Sequence, residues 1–154
     1  YPHYSSKTVQ GKPLHTWSVE GRLNEIEIPT KESTVHTLKL TELKSETHEE
    51  VYHYAANKIE TIPPVTELRK AIGNDFRRPD IRTSWQNFFE NKTNKNYQVA
   101  KFCCVASSGT YMRTLATVIA KELGTTGLAY SIERTKIGKY KTLPLGLGIW
   151  TKQY

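Results

Sequence analysis

The stretch "YQVAKFCCVASSGTYMRTLATVIAKELG", Tyr97 to Gly124, decides the fold class. "YQVAKFCCVAS" is a strand pattern with apolar residues on both faces, which predicts a central strand of a sheet. A helix follows. Met112, Leu115, Ala116, Ile119 and Leu123 recur at helical spacing and predict one buried stripe, which Gly124 closes. Between strand and helix, "SSGT" is a small-residue turn in which Gly109 permits a tight bend or a close backbone approach. One residue is out of place there. Arg113 falls in the first helical turn, where the backbone dipole already presents positive charge. A cation at such a position costs about 0.3–1 kcal/mol when exposed, so the sequence asks which anion balances it.

Upstream of this unit the periodicity changes twice. "NEIEIP" alternates Ile26 and Ile28 with Glu25 and Glu27 and predicts a half-buried strand; "TVHTLKLTEL", Thr34 to Leu43, predicts a second. From Ser45 the pattern is helical. Val51, Ala55 and Ile59 lie four apart, with acidic residues in the first turns, and Pro63-Pro64 ends the helix. "TELRKAIG" predicts a short helix closed by Gly73. "DIRTSWQNFFENK" predicts another, capped by Asp80, with Ile81, Trp85, Phe88 and Phe89 on one face. Downstream, "GLAYSIERTKIGKY" predicts a final strand or two. Strands, a helical block over residues 45–95, then strand, helix and strand make an α+β chain, with the block inserted between paired strands.

The chain has 154 residues and a formal charge of +7, from 22 Lys/Arg against 15 Asp/Glu. The excess is spread along the chain, as on a folded basic surface that faces a polyanion, most simply a nucleic acid. A soluble basic protein without such a partner is the plainer alternative. Cys103 and Cys104 are adjacent and point to opposite faces of a strand. That argues against a mutual disulfide or a shared zinc ion and for small core residues in a reducing compartment, with a cytoplasmic location expected. No apolar run reaches membrane-spanning length, so no membrane partner is expected. The chain starts at Tyr1 and its one methionine is Met112, which leads us to expect a segment upstream.

Candidate chemistry is concentrated in two stretches. His3, His15, His36, His48 and His53 lack metal-ligand spacing, so no metal site is expected. In "SSGTYMR", Ser107, Ser108 and Thr110 are of a type that caps a helix or donates to an anion. Tyr111 and Arg113 flank the core-facing Met112. An exposed tyrosine beside an arginine suits a flat base together with a carboxylate or phosphate; a solvated helix start is the alternative. "YPHYSSKTVQGKPLHTW" interleaves Tyr4 and Trp17 with Lys7 and Lys12, a pattern suited to stacking on bases and contacting phosphates. In the helical block, Arg69, Lys70, Arg77, Arg78 and Arg82 are candidates for gripping an RNA backbone, or a solvated helical face.

Together the two stretches resemble the TruB-type tRNA pseudouridine synthases. "YPHYSSKTVQGKPLHTWSVEG" is similar to that family's P-x-Y-S-A-x-K…G…L-Y…A-R-x-G block. "SSGTYMRTLATVIAKELGTTGLAYSIERTKIGKY" is similar to its G-T-Y-I-R-[ST]-L block and the strand after it. "GNDFRRPDIRTSW" is similar to a stretch in the insertion of some members. The likeness spans nearly the whole chain, in order. It implies a mixed, mainly antiparallel sheet with flanking helices. It also implies isomerisation of uridine to pseudouridine in the tRNA T-loop, at position 55, without metal or organic cofactor. The partner would be the T-arm of tRNA. Tyr4 matches the tyrosine that stacks on the flipped base and is implicated in removing the C5 proton. Arg113 matches the arginine that ion-pairs with the nucleophilic aspartate. Tyr111 matches a substrate-contacting tyrosine, and Lys7 the basic residue of the first block. Gly109, Thr110, Lys12, Arg77 and Arg78 complete the expected RNA-contacting set.

Three departures follow. The family's G-x-L-D-x-x-A-x-G nucleophile motif is not in residues 1–154, whose two aspartates are Asp75 and Asp80. Val19 stands where the A-R-x-G arginine is expected. Residues 1–154 end shortly after "KYKTLPLGLGIW", so an RNA-binding tail domain is not expected within them. Residues 1–154 are therefore expected to be a partial catalytic domain, inactive alone, whose aspartate lies on an upstream or separate segment. A non-catalytic RNA-binding or RNA-folding module of the same fold is the alternative, and a fragment without present function the third.

Overall fold

The computed structural model describes residues 1–67, 75, 77–144 and 148–151. The chain divides into two compact units, Tyr1–Lys39 with Cys103–Tyr154, and Leu40–Phe102. The boundaries fall inside two long strands, β3 (Val35–Glu46) and β4 (Tyr97–Ala106). β3 and β4 pair with each other. Thr41 bonds to Lys101 and Ser45 to Gln98, so residue numbers rise on one strand as they fall on the other, and the pairing is antiparallel.

The first unit opens with a small hairpin, β1 (Thr8–Val9) and β2 (Lys12–Pro13), and a short helix α1 (Leu14–Val19). Pro2, Gly11, Pro13 and Gly21 make residues 1–21 turn-rich in sequence, which hides the hairpin. Gln10 and Gly11 both take positive φ, the two-residue turn that matches strand twist. Leu14 and Trp17 are buried behind it. The strand expected at "NEIEIP" does not form: Leu23–Glu25 is a 3₁₀ turn and extended chain follows. Two alternating isoleucines with no neighbouring strand to pair with are too few to make one.

The expected helix of "YMRTLATVIAKELG" is α4 (Met112–Glu122), numbered after α2 (His48–Glu60) and α3 (Arg78–Glu90) of the second unit. Gly124 closes α4 at φ +72°. Its N–H reaches the Lys121 carbonyl and Thr125 N–H reaches that of Ala120, a Schellman end. The stripe is less buried than its periodicity predicts. Met112, Leu115, Ala116 and Ile119 are half-buried, Ala120 is buried, and Leu123 is 73% exposed. The last strand, expected in "GLAYSIERTKIGKY", forms later, as β5 (Lys139–Thr142) paired antiparallel with β6 (Gly148–Thr151).

In the second unit α2 starts with a complete capping box. The Thr47 hydroxyl accepts from Glu50 N–H (3.2 Å) and the Glu50 carboxylate accepts from Thr47 N–H (2.7 Å). Thr47 thereby holds the Glu50 carboxyl below the usual carboxylate range. Val51 and Ala55 are buried as their spacing predicts. α3 begins two residues before the expected Asp80 cap, with Arg77 as N-cap and Pro79 in its first turn. Its aromatic face meets α2: Phe89 stacks on Tyr52 at 4.3 Å and Phe88 on His48 at 4.1 Å. The short helix expected at "TELRKAIG" lies largely outside the described residues, as do Arg69 and Lys70.

The class is α+β, with antiparallel pairing throughout the described strands. Among the described residues the sheets are three separate two-stranded ones, so β4 is not the central strand its two-sided apolar pattern predicts. Much of β4 is accordingly exposed, Cys103 included; Cys104 is half-buried and burial pushes its thiol up. Neither cysteine is the core residue expected. No helix among the described residues is long and apolar enough to cross a membrane.

Candidate functional site

Short-range bonds fix the N-terminal segment. Leu14 N–H donates to the Lys7 carbonyl (2.8 Å), and His15 donates to the Ser5 carbonyl from both its backbone N–H and its ring Nδ1 (3.1 Å each). The Trp17 indole N–H donates to the Val9 carbonyl (3.1 Å). Tyr4 to Lys7 is therefore tied to α1 rather than loose. Lys12 lies 4.5 Å over the Trp17 ring and bonds both Glu20 carboxylate oxygens (2.7 and 3.0 Å), which holds the Glu20 carboxyl below the usual range. Arg22 also faces the Trp17 ring and does the same to Glu25. The Lys12 charge is already met by a carboxylate, which leaves it a poor phosphate contact.

The mouth of α4 is built by the turn after β4. Ser107 N–H bonds the Thr34 carbonyl (2.8 Å), and Thr34 N–H returns to the Ser107 hydroxyl (3.0 Å). The Thr110 hydroxyl and N–H both donate to the Ser107 carbonyl, at 2.8 and 3.3 Å. These hydroxyls close the turn and do not cap the helix. The N-cap is Tyr111, without a side-chain cap bond. Gly109 sits at φ +81°, a conformation that favours glycine. Lys31 reaches over it to the Ser108 carbonyl (3.0 Å), and a Cβ at Gly109 would run into the Lys31 ammonium.

Arg113 does not find a carboxylate. Its Nη2–H donates to the Tyr4 carbonyl at 2.9 Å, across 109 residues of chain. Among the described residues no acidic group pairs with it, and it is exposed. The Arg113 charge is thus met by a carbonyl dipole, and the remaining guanidinium donors are left for something else. Tyr111 stands edge-on to the Tyr1 ring at 5.7 Å, and Lys7 lies 5.4 Å from the same ring. Tyr4, Lys7, Gly109, Thr110, Tyr111 and Arg113, read from opposite ends of the sequence, belong to one constellation. Lys31 and Tyr1 join it and carried no sequence signal, because each acts through a contact distant in the chain.

The second unit uses its arginines internally. Arg78, whose side chain is 12% exposed, pairs with Asp75 (3.1 Å) and donates to the Pro63 carbonyl (2.6 Å). Arg82 forms a two-pronged pair with Glu60 (2.8 and 2.9 Å). Arg77 is half-buried at the N-cap of α3. Arg78 is therefore already engaged within the second unit, by the Asp75 carboxylate and the Pro63 carbonyl. Asp75 also accepts from Val65 N–H (2.8 Å). Charge separates accordingly: the first unit holds 12 Lys/Arg against 6 Asp/Glu, the second 10 against 9. Both aspartates lie in the second unit. His48 is buried with Nδ1 3.4 Å from the Tyr97 hydroxyl, a packing role; no cluster of potential metal ligands exists among the described residues.

No protein-family model matches the chain, and neither a curated protein nor a solved structure matches it.

Proposed function

We propose that the chain is the larger part of a TruB-type pseudouridine synthase domain, acting on uridine in the tRNA T-loop with its aspartate supplied from outside residues 1–154. The observation that carries this reading is Arg113: an arginine in a helix's first turn, bonded to the Tyr4 carbonyl and facing no carboxylate among the described residues. An arginine placed against a helix dipole needs an anion, and a nucleophilic aspartate is one. In this reading the target base leaves its stack, as chemistry on it requires, and lies on the Tyr4 ring. Arg113 holds the aspartate carboxylate ionised and oriented for attack at C1′. Tyr111 and Lys7 border the base and its phosphate. The basic first unit supplies the RNA footprint.

A second reading, a non-catalytic RNA-binding module, is favoured by one fact: the basic unit that holds Arg113 has no aspartate of its own. One experiment separates the two. The chain is joined to its natural upstream segment and given a T-arm hairpin carrying [5-³H]uridine at position 55. Tritium release that drops about 10²-fold or more in Arg113→Ala is the expected result. Hairpin binding without release assigns the binding module; neither binding nor release sinks both readings.

A further inference from the structure

The hairpin of β5 and β6 carries a second aromatic site remote in sequence from Tyr4. Tyr140 and Trp150 are paired across the two strands, with ring centroids 5.2 Å apart. Tyr140 also meets the His36 ring at 5.4 Å and lies across Gly148, where any Cβ would collide with its ring. Trp150 is thus braced on one side by an immobilised ring. Beside it opens a cavity of about 360 Å³, lined by Thr135, Lys136, Ile137, Trp150 and Thr151. That volume lies at the small end of ligand sites and fits one ring system rather than a peptide helix.

The surrounding charge is one-sided. Arg134, Lys136, Lys139 and Lys141 are all exposed, and Glu133 is the one acidic residue from 133 to 151. Among the described residues none of these four cations makes an ion pair, in contrast to Lys12, Arg22, Lys44, Arg78 and Arg82. Lys139 and Lys141 alternate with Tyr140 and so lie on the strand face opposite the Tyr140–Trp150 pair, which leaves Lys136, in the cavity lining itself, as the cation beside Trp150.

We infer that this hairpin binds single-stranded RNA, with one unpaired base held against Trp150 and the adjoining phosphate on Lys136. A braced indole supplies a π-face that any base accepts, the Lys136 ammonium meets the backbone, and threonine hydroxyls offer polar contacts at the rim. The inference shares only its ligand class with the synthase reading, since it needs neither Arg113 nor an aspartate.

The test is binding of the full chain to a fluorescent dodecauridylate, by anisotropy at two salt concentrations, with inorganic polyphosphate as the base-free polyanion. Trp150→Ala is expected to weaken dodecauridylate binding by about 5- to 150-fold, the range for one stacked base, and to leave polyphosphate binding unchanged. Trp150→Phe, which retains a ring against Tyr140, should keep most of the affinity. Lys136→Gln should lower the salt slope by about 0.7. Equal loss for RNA and polyphosphate in Trp150→Ala, no loss for either, or binding to phosphatidylserine vesicles in place of RNA would each overturn the inference. Failure of the synthase reading shows instead as absent tritium release with this binding intact.

Discussion

Two helix N-termini in this molecule are built on opposite plans. At α2 the N-terminus is served locally: Thr47 and Glu50 form a reciprocal box, and Glu49 and Glu50 both complement the dipole. At α4 nothing local meets it: the N-cap makes no side-chain bond, no acid stands in the first turn, and Arg113 adds positive charge. The Arg113 charge in turn is met by a carbonyl 109 residues away. A sequence selected only for stability would have made both ends like α2. The difference marks α4 as an end whose electrostatics serve something outside the helix, since violations of local preference collect where function requires them.

That comparison can be broken in order of effect. The turn feeding α4 depends on Gly109. Gly109→Ala forces φ +81° on a Cβ and displaces Lys31, so unfolding by urea should show a loss of about 1–2 kcal/mol. Gly124→Ala has open space around its Cβ and should lose only the left-handed share. If the two are equal, Lys31 is a bystander.

The caps come next. Thr47→Ala should cost about 1 kcal/mol in thermal unfolding, because α2 loses its cap bond. Arg113→Ala should cost less than that. It gives up one hydrogen bond to Tyr4 but relieves the dipole, two terms of similar size and opposite sign. An Arg113→Ala loss larger than that of Thr47→Ala would make Arg113 a structural residue and remove the contrast.

The smallest effect is the response to acid. The Glu50 carboxyl is held below its unfolded value by the bonds from Thr47. The stabilisation is therefore fully present above the ordinary carboxylate pKa of about 4.3 and is lost as pH falls through the lowered folded value. Amide exchange across α2 should accelerate on acidification over that window, and Glu50→Gln should flatten the dependence. α4, with no acid in its first turn, should show no matching change at its N-terminus. Parallel acid responses at both helices would mean a global transition rather than the cap.

The helices were legible in the sequence because a helix is satisfied by its own residues. Spacing alone located the buried Val51 and Ala55, and a single glycine located the end of α4. Strands were less legible because a strand exists only with a partner. "NEIEIP" has the alternation without a partner and stays unpaired, whereas "TVQGKP" lacked the pattern and formed a hairpin through two residues at positive φ. The aromatic blocks around Tyr4 and Tyr111 were readable as unusual chemistry. Lys31 and the Trp150 cavity were not, since neither has a local pattern.

By itself the sequence determined the α+β class, the presence of α2 and α4, the basic balance and the anomaly at Arg113, all properties set within a few residues of themselves; the boundary between β3 and α2 was not among them, since β3 runs to Glu46, past the Ser45 at which the helical pattern begins. Only the tertiary structure decided that Arg113 meets Tyr4 and that, among the described residues, Arg78 and Arg82 are occupied by carboxylates while the cations around Trp150 are not, and the sheets stop at two strands. Those outcomes depend on which groups long-range packing brings within bonding distance. The energies of such contacts fall off over a few ångströms of space and are blind to separation along the chain.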